Sequence, residues 1–205
     1  PVAGLGSRFL PATKSIPKEM LPIIDKPLIQ YAVDEAIDAG FSELIFITGN
    51  TKRAIQDHFK FNPDLNISNL TEDKKNFLSE IHRVIPSHVS CKYIIQDQPL
   101  GLGHAILQAK EAIGEDPFAV VLADDLIASQ QGVLKQMLDH YKDENSSIIS
   151  VQKIIKSESI NYGIIELKEV NKDLMKIIDI VEKPSPENAP SNYGVVGRYI
   201  FSSMI

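Results

Sequence analysis

The chain has 205 residues, 43% of them apolar, a formal net charge of −6 and a single cysteine. Its length suits one large domain, or one domain with a small subdomain, built around an ordinary globular core. The acidic balance excludes a general nucleic-acid or membrane-surface binder, lone Cys91 excludes a disulfide framework and fits a reducing compartment, and no run of about 18 apolar residues offers a membrane-spanning helix.

The chain opens on Pro1-Val2-Ala3-Gly4-Leu5-Gly6-Ser7-Arg8-Phe9-Leu10-Pro11. Glycines two apart let backbone N–H groups come close to an anion, and Arg8, Lys14 and Lys18 add positive charge at the same point. Pro11, Pro17, Pro22 and Pro27 set a rigid, extended path that suits pre-organised charges. The pattern is not a Walker A loop, and Phe9 stands where a dinucleotide fingerprint needs its third glycine. A structural turn would account for the glycines equally well. Phosphate loops follow a buried strand, so the sequence is expected to begin inside a longer protein.

Leu28, Ile29, Ala32, Val33, Ala36 and Ile37 recur at helical spacing, and Gly40 is placed to end that helix. Residues 43–48 read as a buried strand, 51–59 as a short helix and 60–71 as a polar loop. Phe77, Leu78, Ile81, Val84 and Ile85 form a second helical stripe. A strand over 89–95, a helix over 102–112, an apolar strand over 118–123 and a helix over 132–142 follow. This alternation predicts a parallel sheet with helices on both faces, with ligands beyond the carboxyl ends of the strands. After about residue 145 the pattern turns strand-rich: 147–153, 163–168, 176–181 and 193–201. That half is inserted into, or appended to, the same sheet.

Asp124 and Asp125 end an apolar strand, a position that suits Mg²⁺ bound by one or two carboxylates plus phosphate oxygens; an Asp pair also starts turns. Gln96 and Leu100-Gly101-Leu102-Gly103-His104 lie between a strand and a helix. Gln can pair with a base edge through one donor and one acceptor, and the glycines let a flat base lie on the backbone; an ordinary glycine turn reads the same way. His104 fits a packing or supporting role better than acid–base catalysis. Glu182-Lys183-Pro184 sets a carboxylate beside an ammonium, suited to sugar hydroxyls and a phosphate, or to an exposed ion-pair turn. No zinc or Ser-His-Asp pattern stands out.

Taken together, residues 1–31, LGLGHAI (100–106), ADD (123–125), YGII (162–165), VEKP (181–184) and NYGVVGRY (192–199) resemble the bacterial UTP–glucose-1-phosphate uridylyltransferases. Ser7 stands where the family usually has Thr, which keeps the hydroxyl. The resemblance implies an α/β, Rossmann-like nucleotidyltransferase fold: a mostly parallel mixed sheet flanked by helices, with 1–145 as the nucleotide-binding part and 146–205 as a strand-rich sugar-binding part. It implies that Ala3 and Gly4 floor the uracil, Gln96 and Gly101 read its edge, Gly6 and Arg8 hold the triphosphate, and Lys18 is catalytic. Asp124 matches a Mg²⁺ ligand, and Gly163, Glu182 and Lys183 match the glucose 1-phosphate site. Family members carry a strand before the opening loop and continue past residue 205, so the chain is expected to be incomplete at both ends. A cytoplasmic homo-oligomer of two or four copies, binding UTP and glucose 1-phosphate, completes what the resemblance implies.

The expected reaction is in-line attack of the sugar phosphate on the α-phosphorus of UTP, with pyrophosphate leaving. The attacking oxygen is already anionic, so no strong base is required, in keeping with the absence of a poised histidine. Two rivals remain at this level: a glucose-1-phosphate thymidylyltransferase, and a non-catalytic nucleotide-sugar binding module.

Overall fold

The computed structural model describes residues 1–60, 84–144, 146–169 and 175–202. Of the loop expected over 60–71 all but residue 60 lies outside the described residues, as do the stripe residues Phe77, Leu78 and Ile81, and Val84 and Ile85 sit in a bend.

After the opening loop come a two-stranded hairpin, β1 (Pro22–Ile23) and β2 (Lys26–Pro27), and helix α1 (Leu28–Asp38). Helix α1 buries Ile29, Ala32, Val33 and Ala36, the face its spacing predicts. Gly40 ends it at φ 97°. The Gly40 and Phe41 N–H groups donate back to the carbonyls of Ile37 and Ala36, a Schellman cap that requires a residue tolerant of positive φ.

Strand β3 (Glu43–Thr48), helix α2 (Arg53–Phe59) and strand β4 (Ser90–Ile95) follow, and β3 and β4 pair in parallel from Glu43↔Ser90 to Thr48↔Ile95. Val2 N–H donates to the Ile47 carbonyl at 2.7 Å, which lays the opening of the chain beside the end of β3. Val2, Ile29, Val33, Phe46, Ile55 and Ala123 form the core beneath the loop. Phe46 stacks on Phe59 and Tyr93 with centroids 5.2 and 5.0 Å away.

The helix expected over 102–112 is two pieces, α3 (Leu102–Gln108) and α4 (Lys110–Ile113), jointed at Ala109. Strand β5 (Phe118–Val121) ends earlier than expected. The residues after it form a turn closed by Asp125 N–H on the Leu122 carbonyl at 3.2 Å, so Asp124 stands in that turn.

Helix α5 (Val133–Glu144) leads into β6 (Ile148–Lys153), β7 (Gly163–Glu169), β8 (Met175–Glu182) and β9 (Tyr193–Phe201). β9 carries β6 on one edge; the other edge carries β5 and the start of β7, and β7 pairs onward with β8. The α/β class stands, but its balance differs from the expected parallel sheet. Among the described residues β3–β4 is the one parallel pair, and the five-stranded sheet is antiparallel throughout. Parallel pairing needs a long crossover between strands, as between β3 and β4, whereas the consecutive strands β7 and β8 pair antiparallel. The strand-rich half is joined to the first half through β5–β9.

Candidate active site

The opening loop is folded around Lys18. Gly6 has φ 65°, which strains any other residue, and a Cβ there would crowd Lys18 Cβ at 3.2 Å and Thr13 Cγ2 at 3.3 Å. Thr13 Oγ1 donates to the Gly6 carbonyl at 2.7 Å and ties the loop shut. Lys18 runs past Gly4, its Cε 4.0 Å from where a Gly4 Cβ would be. Its ammonium donates to Asp124 Oδ2 at 2.5 Å, across 106 residues of sequence. The lysine is 20% exposed and the carboxylate 45%, so both are open to a ligand. Burial pushes the Asp124 carboxyl up, but the Lys18 hydrogen bond and charge outweigh it and hold it below the usual carboxylate value.

Asp125 points elsewhere. A Cβ on Gly197 of β9 would fall 2.6 Å from Asp125 Oδ2, so that side chain is packed against the sheet and Asp124 is the carboxylate left for a ligand. Among the described residues no group of three or more His, Cys, Asp or Glu could hold a metal by itself. A single half-exposed carboxylate fits Mg²⁺ that brings phosphate oxygens with it, and does not fit a dedicated protein cage.

Gln96 continues from β4, its N–H on the Thr48 carbonyl. It is buried, and its Nε2 lies 3.4 Å from the Gly101 carbonyl and 2.8 Å from His104 Nδ1. The expected base-edge pair is therefore in direct contact. Ala3 is buried, and Gly4, next to it in sequence, is exposed.

Gly163, Glu182 and Lys183 also meet. Gly163 pairs with Glu182 across β7–β8, and a Cβ on Gly163 would lie 3.3 Å from Glu182 Oε2. The glycine is what lets that carboxylate cross the strand. Lys183 turns at φ 46°, donates its N–H to the Tyr162 carbonyl, and sets its ammonium 3.0 Å from Glu182 Oε1. Tyr199 of β9 links the two regions: burial raises its phenol, and the Asp125 and Glu182 carboxylates raise it further.

Arg8 does not join these groups. It is exposed on the turn Ser7–Phe9 and makes no ion pair with the described residues. A cavity of about 510 Å³ behind β3, lined by Ile29, Ile45, Ile47 and Val120, borders none of the expected site residues and belongs to the core.

Two buried ion pairs escaped the sequence reading. Lys52 donates to Glu19 Oε2 at 2.8 Å, with both side chains under 10% exposed. Arg198 donates to Glu35 Oε2 through Nε at 3.0 Å and Nη2 at 2.8 Å, and its Nη1 donates to the carbonyls of Leu122 and Gly197. The first pair stands beside Lys18 and the second under the Asp124 turn. Lys52 sits in the polar run Asn50-Thr51-Lys52-Arg53 and Glu35 in Asp34-Glu35 on a helix, so sequence offers no signal that either is buried.

A nucleotidyl transferase family profile matches residues 2–205. The chain is 46% identical over 205 residues to the UTP–glucose-1-phosphate uridylyltransferase of Bacillus subtilis strain 168, covering all of this chain and 70% of that one. The chain belongs to the UTP–glucose-1-phosphate uridylyltransferase family. It also superposes on a UDP-glucose pyrophosphorylase complexed with UDP-glucose, at TM-score 0.87 and 45% identity over 98% of this chain and 74% of the other. A UTP-bound enzyme of the same kind from Acinetobacter baumannii gives 0.91 and 42%, over 99% and 73%. A glucose-1-phosphate thymidylyltransferase from Bacillus anthracis, described as putative, shares 23% identity at TM-score 0.73, which shows a common fold and no more. Among the described residues no helix is long and apolar enough to cross a membrane.

Proposed function

We propose that the chain joins UTP to glucose 1-phosphate, releasing UDP-glucose and pyrophosphate, with Lys18 and Asp124 at the reacting phosphates. Membership of the uridylyltransferase family supports the reaction, and the thymidylyl alternative is left with a relative at 23% identity. The single observation that carries the residue assignment is the 2.5 Å contact between Lys18 and Asp124 at the glycine loop.

The sugar phosphate oxygen is anionic near neutral pH, so the chain has little proton transfer to perform. Its task is to hold two polyanions together and in line. Gly4 and Gly6 offer close backbone approach to the triphosphate, Lys18 supplies positive charge at the α-phosphate, and Arg8, exposed on the same loop, is free to swing onto the outer phosphates. Glu182 accepts from sugar hydroxyls while Lys183 meets the sugar phosphate. Ala3 and Gly4 floor the uracil, with Gln96 and Gly101 at its edge. Asp124 is the carboxylate that would hold Mg²⁺, which when bound neutralises phosphate charge and fixes the approach of the two substrates. The nucleotide side comes from residues 1–145 and the sugar side from 146 onward. A cytoplasmic enzyme assembled as two or four copies belongs to the same reading, and light scattering tests the assembly.

Lys18→Ala and Asp124→Asn test the assignment. Each is expected to lower kcat by about 10²–10³, the loss of one charge-stabilising donor or about 2.7–4 kcal/mol of barrier, with an unchanged thermal midpoint. Turnover within about threefold of the parent in either variant would reject that residue's role.

A further inference from the structure

The Gln96 amide is held in one orientation by the Gly101 carbonyl and the His104 ring. Gln96 is 6% exposed. Its Nε2 faces the Gly101 carbonyl at 3.4 Å, and a carbonyl oxygen only accepts, so the group there is the NH₂. The same NH₂ lies 2.8 Å from His104 Nδ1, which must then present its lone pair, leaving the ring proton on Nε2. A neutral ring cannot accept at both nitrogens. Gln108 Nε2, 3.3 Å from His104 Nε2, therefore donates to the His104 carbonyl at 3.4 Å along helix α3. Both amide protons of Gln96 are thus used inward. Its Oε1 accepts nothing among the described residues, and it is not among the buried side-chain polar atoms left without a partner there.

We infer that His104 is a specificity-determining residue: by taking the Gln96 NH₂, it leaves Oε1 alone to meet the nucleobase and so selects a base with an N–H at that edge. This rests on the reading of Gln96 as the base-edge residue. Uracil presents a donor at N3. Cytosine presents a lone pair at N3, which would face Oε1 without a proton between them, and the amide cannot rotate to offer its NH₂ without giving up both inward bonds. A site built for one polarity rejects the other chiefly by leaving polar groups unpaired. His104 itself is a positioning residue, acting on the substrate only through Gln96.

The test is kcat/KM for UTP and for CTP, with glucose 1-phosphate held constant, in the parent, His104→Leu, His104→Asn and Gln96→Ala. Asn places its Oδ1 where His carries Nδ1, so it keeps an acceptor, whereas Leu of similar size has none. The UTP-over-CTP preference is expected to fall about tenfold or more in His104→Leu, through KM for UTP with kcat little changed, and to return in His104→Asn. A His104→Leu preference equal to the parent's, or equal losses in Leu and Asn, would overturn the role of His104. A parent that used CTP as well as UTP would overturn it too. An unchanged preference in Gln96→Ala would instead remove Gln96 from the base edge and overturn the reading beneath it.

Discussion

Removing Glu35 strips the charge from beneath the Asp124 turn without touching a group at the site. Arg198 is 2% exposed and Glu35 12%, and the guanidinium donates twice to Glu35 Oε2. Glu35 Oε1 also accepts the Leu134 N–H at 3.1 Å at the start of α5. In Glu35→Ala the guanidinium is left buried without a counter-charge, a loss of about 3–5 kcal/mol. The Leu134 N–H loses its acceptor as well, worth about 1–3 kcal/mol when buried. Together they put the loss above about 4 kcal/mol, against about 5–15 kcal/mol for a whole domain. Replacing both members by Met should cost less than Glu35→Ala, because no charge remains buried. The carbonyls that Arg198 serves stay satisfied, since the Leu122 carbonyl keeps the Asp125 N–H and the Gly197 carbonyl keeps the Leu122 N–H. Urea midpoints with an unchanged m-value measure both. A Glu35→Ala loss under about 1 kcal/mol, or a double variant worse than the single, would refute the claim that this pair is a buried charge holding the turn.

Gly163→Ala should raise KM for glucose 1-phosphate about tenfold and leave KM for UTP alone, because the new Cβ lies 3.3 Å from Glu182 Oε2; initial rates against each substrate check it. Lys52→Ala should cost about 3 kcal/mol or more in urea unfolding, since it leaves the Glu19 carboxylate, 1% exposed, without its cation. His58 supplies the pH dependence: burial lowers its pKa from 6.5, partly opposed by Asp34, so the unfolded chain takes up the proton first as pH falls. Its contribution is therefore whole above about pH 6.5 and is lost as pH drops through that value toward the lower folded one. The thermal midpoint should fall less between about pH 7.5 and about pH 5.5 in His58→Gln than in the parent.

Local rules made much of this fold legible. Helix α1 was readable because its apolar spacing and Gly40 cap agree, and the strand β9 because its nine residues are mostly β-branched and aromatic despite Gly194 and Gly197. The joint at Ala109 was not readable, since Ala is the best helix former and nothing nearby signals a stop. The sheet's balance was misjudged because direction depends on connections: β9 returns to β5 across more than seventy residues, which no local pattern encodes. Lys18, Asp124, Gln96, Gly101, Gly163 and Glu182 were picked out as candidates by their motifs, and the structure brings them together in pairs. What motifs could not supply was the layer behind them. Lys52, Glu35 and Arg198 are charged residues in polar or amphipathic settings, and only the tertiary fold buries them against a partner. His104 was read as a supporting residue, and the structure supplies the atom it supports.

The most direct test of the central claim is formation of UDP-glucose and pyrophosphate by this chain from UTP, glucose 1-phosphate and Mg²⁺, followed beside Lys18→Ala. Equal amounts of the two products, dependent on both substrates and lost in the variant, are the predicted result. UDP-glucose bound tightly with no pyrophosphate released would contradict it and leave a nucleotide-sugar binding module in place of an enzyme.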